Sequence, residues 1–419
     1  MSRDDRHVLI IGGGVIGIAC AHFLNDAGFR VTVIDKGRIG GGCSHSNCGL
    51  VCPSHVLPLA EPGAIGSAIG ALVRPGGAFR IRPRLSPTLW RWMYKFARRC
   101  NKDDMLRSGR AIQPLLASSM QLFESLVDRE GLDCEWQKQG LMFVYQDQKP
   151  LDAYEPVNQL LSNEFNEPAR RMDGNELQRF EPALRDGLAG AWYFEHDAHL
   201  SPERLLASWR QLLDRRGVRF VEDCTLEGFE EAEGTVAAVR TSAGSMAADW
   251  FVAALGAWTP QLASVLRCRV PIEPGKGYSL MMARPAVCPV TPMIFPQHRV
   301  AVTPLQTGMR LGSIMEFSGY DSSIRPARLR MLAAGASNYL REALPSRHSD
   351  EWFGWRPMTY DSTPVIGRCP SFSNVLLATG HNMLGLSMAP ATGRLIAELI
   401  RGVQPHIPVA PYAVDRFLS

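Results

Sequence analysis

Residues 7–35 decide the fold, and they read HVLIIGGGVIGIACAHFLNDAGFRVTVID. The apolar run at 7–11 is typical of a strand buried on both faces, and the three glycines that follow fit a tight turn. Residues 16–27 have the apolar spacing of a helix, and the strand-like run at 30–34 ends in Asp35. The order of strand, glycine turn, helix, strand and acid predicts the first unit of a dinucleotide-binding fold.

Each glycine of the motif has a physical role in that prediction. Gly12 allows the turn from strand to helix, Gly14 lets a pyrophosphate approach the backbone, and Gly17 lets the helix pack closely on the strand. The helix start offers free N–H groups and a partial positive charge to the phosphates. Asp35 stands where a carboxylate accepts hydrogen bonds from ribose hydroxyls.

The segment after this unit favours a flavin over a nicotinamide. Residues 37–50 read GRIGGGCSHSNCGL, a polar glycine-rich loop in a place where a nicotinamide enzyme usually continues to its third strand. Ser44, Ser46 and Asn47 supply hydrogen-bond donors there, and Gly49 permits close approach of the backbone.

A second strand, glycine loop and helix lie near the C-terminus. Residues 374–379 read NVLLAT, residues 380–385 read GHNMLG, and the apolar spacing predicts a helix over 386–400. A bound flavin needs such a helix start, because its reduction places negative charge at one edge of the ring.

The same domain needs contributions from between these two segments. Ser201 and Pro202 fit the N-cap and first position of a helix that runs to Arg216, and a strand follows at 217–221. Another strand ends in the sequence VAALGAW at 252–258. We therefore expect a nucleotide domain made of residues 1–79, 196–261 and 351–419, with a substrate domain made of residues 80–195 and 262–350.

Seven motifs together carry a family resemblance over nearly the whole chain. They are VLIIGGGVIGIACAHFLNDAGFRVTVIDK, CSHSNCGL, DAHLSPERLLASWRQLLDRRGVRF, VAALGAW, KGYSL, WRPMTYDSTPVIG and LLATGHNMLGLSMAPATG. The chain resembles the FAD-dependent D-amino-acid oxidase superfamily, and most closely its bacterial D-amino acid dehydrogenase (small subunit) type. The resemblance implies an α/β fold in which a Rossmann-like FAD domain with a parallel sheet is interleaved with an α+β substrate domain with a mostly antiparallel sheet.

The resemblance also implies a reaction and a cofactor. It implies oxidative deamination of a D-amino acid or cyclic imino acid by hydride transfer from Cα to flavin N5, which gives an imine and then an oxo acid. Electrons would pass to a quinone or a protein carrier. The cysteine arrangement of relatives with covalent flavin is missing, so we expect non-covalent FAD. Cys48 and Ser362 stand where the family usually has alanine and glycine.

Three catalytic residues follow from the resemblance. Arg356 matches the position that often holds the substrate carboxylate, Tyr278 matches a tyrosine near the site, and His381 would contact flavin or substrate. A structural arginine, core packing and a structural histidine are the respective alternatives. The predicted cofactor contacts are Gly12, Gly14, Val15, Ile16, Gly17, Asp35, Lys36, Ser44, Ser46, Asn47, Gly49, Leu50, Gly256, Trp258, Gly380, His381, Met383, Leu384, Gly385 and Leu386.

The cysteines raise the alternative of a metal site. Ten cysteines are scattered through 419 residues, except for Cys43, Cys48 and Cys52 in the glycine-rich loop. Iron–sulfur patterns mostly use four cysteines at characteristic spacings. We therefore expect no metal, and free thiols in a reducing compartment.

The charge is unevenly distributed along the chain. With 45 basic and 41 acidic residues the net charge is +4, which argues against a nucleic-acid binder. Residues 74–110 hold eleven basic and two acidic residues, 11 − 2 = +9, so the remainder carries 4 − 9 = −5. Aromatic residues interleave with the basic ones at 90–99. On a helix this pattern fits an anionic membrane surface or a partner subunit, or else a solvated face whose aromatics pack inward.

The location and the substrate stay open at this point. The short polar N-terminus lacks the apolar stretch of a signal peptide, so we expect a cytoplasmic protein, with the inner face of the cytoplasmic membrane as the peripheral alternative. Beside a broad D-amino acid enzyme, the alternatives are a D-proline or D-hydroxyproline dehydrogenase, a glycine or sarcosine dehydrogenase, and an oxidase that uses O₂. A non-catalytic electron-relay subunit and an NAD-binding scaffold are alternatives of other classes.

Overall fold

The structure is a computed structural model that describes residues 5–66, 79–82, 84–342, 344 and 348–417. Its strands are β1 His7–Ile11, β2 Arg30–Ile34, β3 Leu50–Val51, β4 Phe79–Ile81, β5 Leu141–Tyr145, β6 Arg170–Asp173, β7 Gly190–Phe194, β8 Ala198–His199, β9 Arg219–Val221, β10 Leu226–Ala232, β11 Thr235–Thr241, β12 Gly244–Ala247, β13 Trp250–Ala253, β14 Ile272–Ala283, β15 Met293–Phe295, β16 Val300–Pro304, β17 Gly308–Phe317, β18 His348–Thr359, β19 Val365–Arg368 and β20 Val375–Thr379.

Ten α-helices connect and cover these strands within the described ranges. They are α1 Val15–Asp26, α2 Pro87–Arg99, α3 Lys102–Glu130, α4 Gln148–Asp152, α5 Glu155–Phe165, α6 Gly174–Phe180, α7 Pro202–Arg215, α8 Ala263–Leu266, α9 Pro326–Ser337 and α10 Gly385–Arg401. None of the helices that the structure describes is both long enough and apolar enough to cross a membrane.

The first sheet, called the nucleotide sheet here, has six strands in the order β19-β20-β13-β1-β2-β9. All neighbours are parallel except β19 and β20. The apolar run of β1 explains its central place, because Val8, Leu9 and Ile10 are fully buried. The strands come from three separated parts of the chain, as the sequence predicts.

Two helices cover one face of the nucleotide sheet and touch each other closely. A Cβ placed on Gly393 of α10 would lie 2.5 Å from the carbonyl oxygen of Ala19 in α1. A Cβ on Gly17 would lie 1.9 Å from the carbonyl oxygen of Gly12, so α1 also sits directly on the turn that precedes it. Both contacts involve backbone atoms, which cannot move aside as a flexible side chain can.

The second sheet, called the substrate sheet here, has nine strands. Eight follow the order β18-β14-β17-β16-β15-β5-β7-β6, and β4 pairs with β17. Only the β15–β5 and β17–β4 pairs are parallel, so the prediction of a mostly antiparallel sheet is confirmed.

One predicted domain boundary falls inside a strand. The sequence division at residues 350 and 351 cuts β18, which pairs with β14 from Thr359 back to His348. The pairing partner of β18 belongs to the substrate sheet. The segment up to Thr359 therefore belongs with the substrate sheet.

Local signals elsewhere in the chain predict the structure well. The Ser201 hydroxyl caps α7 and accepts from the backbone N–H of Arg204 at 3.5 Å. All ten cysteines are free of disulfide bonds, as expected.

We predict that Gly393→Ala destabilises the protein. Helix propensity alone favours alanine by about 1 kcal/mol, so a loss of stability would report the contact between the helices. Overpacking of this kind costs about 1–3 kcal/mol. Urea unfolding measures it, with Gly66→Ala as the control, because a Cβ at Gly66 meets nothing within 4 Å. Equal stability of both variants would contradict the account.

Candidate active site

A cavity of about 520 Å³ lies between the nucleotide sheet and the substrate sheet. Most of the residues predicted from the sequence line it, and they come from both ends of the chain. These lining residues are Gly12, Gly14, Val15, Ile16, Asp35, Lys36, Ser44, Ser46, Asn47, Leu50, Gly256, Trp258, Tyr278, Arg356, His381, Met383, Leu384, Gly385 and Leu386.

Three predicted contact residues do not line the cavity, because their missing side chains make room for other parts of the protein. Gly17 lies against the Gly12 carbonyl. A Cβ on Gly49, whose φ is +69°, would lie 2.0 Å from the Leu200 carbonyl oxygen. A Cβ on Gly380 would lie 2.8 Å from the Thr359 side chain. These glycines therefore shape the site through packing.

The glycine turn is closed by the acid at the end of β2. The Asp35 carboxylate accepts from the backbone N–H of Gly13 at 2.7 Å and from that of Gly37 at 2.9 Å. The two bonds fix the turn directly below the cavity. A carboxylate has about four lone-pair sites, so Asp35 keeps capacity to accept from a ribose hydroxyl.

The start of α1 faces the cavity. Within the described chain, no side chain caps Gly14, and residues 15–18 contain no acid. The Val15 N–H donates to Ser44 Oγ at 3.0 Å, which ties the glycine-rich loop to the helix start. Ser44 thus takes the first N–H of the helix, and the N–H groups of Ile16 and Gly17, which have no partner within the helix, add to the positive partial charge that suits a phosphate.

Two other donors predicted in the glycine-rich loop are used inside the protein. Ser46 is fully buried, and its hydroxyl lies 3.0 Å from carboxylate oxygens of Glu203 and Asp350. The Asn47 amide donates to the Ser44 carbonyl, and its oxygen accepts from Gly49 N–H. Their hydrogen bonds shape the loop, and both residues line the cavity.

The start of α10 is the second uncapped helix terminus at the cavity. Within the described ranges no side chain caps Leu384, and the first turn has no acid. The preceding loop is held by Asn382, whose side-chain oxygen accepts from Thr359 N–H at 2.9 Å and whose backbone N–H donates to the Pro357 carbonyl at 3.1 Å. The loop is thereby tied to β18, a role that the sequence analysis did not assign to Asn382.

His381 is held neutral beneath this loop. It is 2% exposed, and burial lowers its pKa to about 3. The Thr392 hydroxyl donates to the Met388 carbonyl, so it accepts from His381 Nε2–H at 3.0 Å. A neutral ring fixed in this way positions the loop, and it does not supply an acid at neutral pH.

Aromatic side chains form one wall of the cavity. The Lys36 ammonium lies 4.2 Å from the Trp258 ring centroid, and the Trp258 ring meets Trp355 edge to face at 5.7 Å. Burial lowers the pKa of Lys36. The Trp355 indole N–H is buried and has no hydrogen-bond partner among the described residues. An orphaned donor in a cavity wall fits a site that takes a polar ligand.

Arg356 is the unpaired cation of the substrate side. Its guanidinium donates to the Ile314 carbonyl at 2.7 Å, and no carboxylate of the described chain pairs with it. A Cβ on Gly277 would lie 2.4 Å from three atoms of this guanidinium. The Arg356 guanidinium can therefore occupy its position because Gly277 has no side chain. The remaining N–H groups of Arg356 are available to a bidentate anion.

Tyr278 lies on β14 opposite Phe353 of β18, and its hydroxyl is already engaged. The hydroxyl donates to the buried Glu316 carboxylate at 3.2 Å, and burial raises the pKa of Tyr278 far above its usual range. Arg325 and Arg328 lie near the same carboxylate. Tyr278 therefore forms part of the wall without a free hydroxyl.

The clustered cysteines do not form a common ligand group. In the described chain, the group able to hold a metal is Cys52, His55 and Asp197, whose ligand atoms lie within 4.8 Å of one another. Burial raises the pKa of Cys43 to about 11 and also raises that of Cys48, so both stay protonated thiols. Sequence analysis missed His55 because its partners come from a distant segment.

The residues present fit a dinucleotide with a ring system. Two uncapped helix starts, the carboxylate of Asp35 and the buried indole N–H of Trp355 meet at one cavity. Arg356 lines the same cavity from the substrate sheet. The whole arrangement suits an anionic cofactor next to a small carboxylate.

Comparison with known proteins points in the same direction. Residues 7–399 match the model of the family DAO, FAD dependent oxidoreductase. The D-amino acid dehydrogenase of Xanthobacter autotrophicus is 32% identical over 417 residues, covering 98% of this chain and 99% of that protein. The D-amino acid dehydrogenase 1 of Mesorhizobium japonicum is 30% identical over 418 residues, covering 98% of this chain and 100% of that protein.

Solved structures share the fold. A glycine oxidase from Geobacillus kaustophilus superposes with a TM-score of 0.78 at 22% identity, covering 98% of this chain and 99% of that one. An L-proline dehydrogenase from P. horikoshii has a TM-score of 0.73 at 21% identity, covering 99% of this chain and 98% of that one. At these identities the likeness shows the fold alone.

We predict that His381 makes stability depend on pH. The unfolded ring titrates near 6.5, whereas the folded ring titrates at about 3, so unfolding takes up a proton and stability falls below pH 6.5. Replacing it by glutamine should reduce the stability lost between pH 7 and 5 by about 2 kcal/mol. Urea unfolding at both pH values measures this, with the exposed His196→Gln as the control. An identical pH dependence in wild type and His381→Gln would refute it.

Proposed function

We propose that this chain, which belongs to the DAO family of FAD-dependent oxidoreductases, oxidises the Cα–N bond of D-amino acids and passes the electrons to an acceptor other than O₂. The D configuration is supported by the D-amino acid dehydrogenases that match the chain over nearly its whole length. The single observation that carries the proposal is the unpaired Arg356 guanidinium in the cavity that the glycine turn also lines.

The chain's own residues would hold FAD without a covalent bond. The starts of α1 and α10 would face its anionic parts, Asp35 would accept from the ribose, and the Trp355 N–H would be available as a donor. When bound, FAD accepts the hydride that leaves the substrate carbon. The remaining work of the protein is binding, orientation and exclusion of water.

Arg356 is proposed to bind the substrate carboxylate. A planar guanidinium matches a carboxylate with two parallel hydrogen bonds, which fixes orientation as well as position. Its own bond to the Ile314 carbonyl and the contact with Gly277 hold the guanidinium in place. The substrate Cα is thereby oriented relative to the cofactor side of the cavity.

The other predicted catalytic residues are proposed to act by position. His381 is neutral and bonded to Thr392, and it supports the loop before α10. Tyr278 packs at the wall with its hydroxyl held by Glu316. Neither side chain offers a base of suitable pKa, so we propose that the substrate amine loses its proton to solvent before or during binding.

We predict that Arg356→Ala raises the KM for D-amino acids by roughly 10- to 100-fold, because a charged hydrogen bond contributes about 1.5–3 kcal/mol. FAD should stay bound, since Arg356 lies on the substrate sheet. Gly277→Ala should raise KM as well by displacing the guanidinium. Steady-state kinetics with a dye acceptor measure both variants. An unchanged KM in Arg356→Ala would overturn its assignment.

A substrate panel tests the proposed function directly. D- and L-amino acids, D-proline, cis-4-hydroxy-D-proline, glycine and sarcosine are offered with a dye acceptor, and O₂ uptake is followed in parallel. We expect dye reduction with D-amino acids and slow O₂ uptake. Rapid O₂ uptake would identify an oxidase, and no reaction with any compound would favour an electron-relay subunit.

The basic segment is proposed as the contact with an anionic membrane that holds a quinone acceptor. Trp92 of α2 packs inward, donating to the Met358 carbonyl at 3.1 Å, so the inward-packing alternative holds for this ring. Trp90 and Tyr94 are 54% and 63% exposed, and Leu85 is fully exposed. Trp90 and Tyr94 share the outer side of α2 with exposed Arg91 and Arg98, and Leu85 lies just before the helix.

Charge supports a lipid surface as the partner of this face. In the described part of the chain, acids from elsewhere neutralise Arg82, Arg84 and Arg110. No acid pairs with Arg91 or Arg98 there. Exposed aromatic rings beside free cations are typical of a helix that rests on anionic headgroups. The proposed location is the cytoplasmic face of the membrane.

We predict that the combined variant Arg91→Gln, Lys95→Gln, Arg98→Gln loses binding to vesicles rich in phosphatidylglycerol by roughly 100-fold, since each cation near such a surface contributes about 1 kcal/mol. Flotation at low and high salt measures it. The control neutralises the exposed Lys149, Arg179 and Arg401. Equal flotation of both triple variants would exclude this face.

A further inference from the structure

We propose that the cavity has a second polar binding site, centred on His55, which takes a hydrogen-bond donor on the substrate side chain. The proposal rests on the function proposed above and narrows its substrate class. It is separate from the carboxylate site at Arg356.

The floor of the cavity leads from the carboxylate site toward His55. One row of paired residues crosses the substrate sheet, with Ser279 opposite Gly312, Gly312 opposite Ala301, Ala301 opposite Ile294 and Ile294 opposite Phe143. Ser279, Ala301 and Ile294 of this row line the cavity. The strands of Ser279 and Ile294 are three spacings apart, about 14 Å along the sheet. The space therefore exceeds what an amino acid backbone fills.

His55 stands at the far end of this row. Its ring meets Phe143 edge to face with centroids 5.8 Å apart, and His55 and Cys52 both line the cavity. In this row Ala301 contributes only a methyl group. A substrate side chain that follows the row reaches His55 at its tip.

A chain of hydrogen bonds fixes which nitrogen of His55 carries the proton. The Ser54 hydroxyl donates to Asp197 Oδ2 at 2.6 Å, and the Ser54 N–H donates to Oδ1 at 3.2 Å. With Asp197 ionised, the single hydroxyl proton of Ser54 goes to that carboxylate, so Ser54 Oγ accepts from His55 Nδ1–H at 3.2 Å. The Nε2 atom of the neutral ring then carries a lone pair. No described residue donates to Nε2, so it accepts from a ligand.

The surroundings favour a neutral ring and a donor. Burial lowers the pKa of His55 to about 4 and raises that of Asp197 to about 7. The Cys52 thiol hydrogen-bonds the same carboxylate, and burial raises its pKa. The cluster has no cation at neutral pH and carries a partly ionised acid. It therefore suits a hydroxyl, amide N–H, ammonium or guanidinium and disfavours an acidic side chain.

Matched substrate pairs test the proposal. D-Lysine has a donor at the end of a long side chain, and D-norleucine is its apolar counterpart. cis-4-Hydroxy-D-proline has a hydroxyl donor on the ring, and D-proline is its counterpart without one. His55→Phe removes the acceptor and keeps an aromatic edge against Phe143. We expect kcat/KM for at least one donor-bearing substrate to fall about tenfold, with less than a twofold change for its apolar partner. His298→Gln, outside the cavity, is the control.

A second variant and a binding measurement keep the outcome decisive. Ser54→Ala frees the His55 tautomer, so as a positioning change it should raise KM for the donor-bearing member of the pair with kcat nearly unchanged. Dissociation constants from the flavin absorbance of the holoprotein, measured without an electron acceptor, check that each variant is folded and cover compounds that are not oxidised.

Two results would overturn the proposal. One is an equal change for both members of each pair, in kinetics and in binding. The other is a stoichiometric metal ion in the purified protein that disappears in His55→Phe, because Cys52, His55 and Asp197 would then be ligands. If the wild type oxidises none of the four compounds, the proposed function fails, and the binding data still decide the role of His55.

Discussion

The contact between α1 and α10 is the constraint on which the rest of the site depends. Because Gly393 has no Cβ, α10 can approach the Ala19 carbonyl of α1 more closely than a larger residue would allow. Because the helices touch along their length, their starts open onto the same cavity. The two regions of positive partial charge lie hundreds of residues apart in the chain and act on one ligand.

The substrate side of the cavity is positioned by the attachment of the substrate sheet to the loop before α10. Arg356 stands on β18, and β18 is tied to the loop before α10 by the bonds of Asn382 to Thr359 and Pro357. The residue proposed to bind the substrate carboxylate is therefore fixed relative to the loop that surrounds the cofactor. A hydride transfer needs such a fixed distance, since small displacements of the reacting atoms are costly.

The sequence predicts features that depend on local chemistry and fails where partners are distant. The glycine turn, Asp35, the cap of α7 and the first strands of the nucleotide sheet follow from periodicity and motif, whereas the mostly antiparallel substrate sheet follows from the family resemblance. The sequence also predicts Gly49 as a cofactor contact, but in the structure Gly49 lies against the carbonyl of Leu200. The Ser46 hydroxyl lies within hydrogen-bond distance of Glu203 and Asp350. The role proposed for His55 depends on the bond between Ser54 and Asp197, which lie 143 residues apart in the chain. Contacts of this range are not encoded in any short pattern.

The most direct measurement of the central claim is the reaction of the purified yellow holoprotein with one enantiomeric pair in the absence of oxygen. Stopped-flow absorbance follows the loss of flavin colour after mixing with D- or L-norleucine. The account predicts rapid bleaching by the D enantiomer, slowed by deuterium at Cα, and none by the L enantiomer. Bleaching by the L enantiomer alone, or by neither, would contradict it.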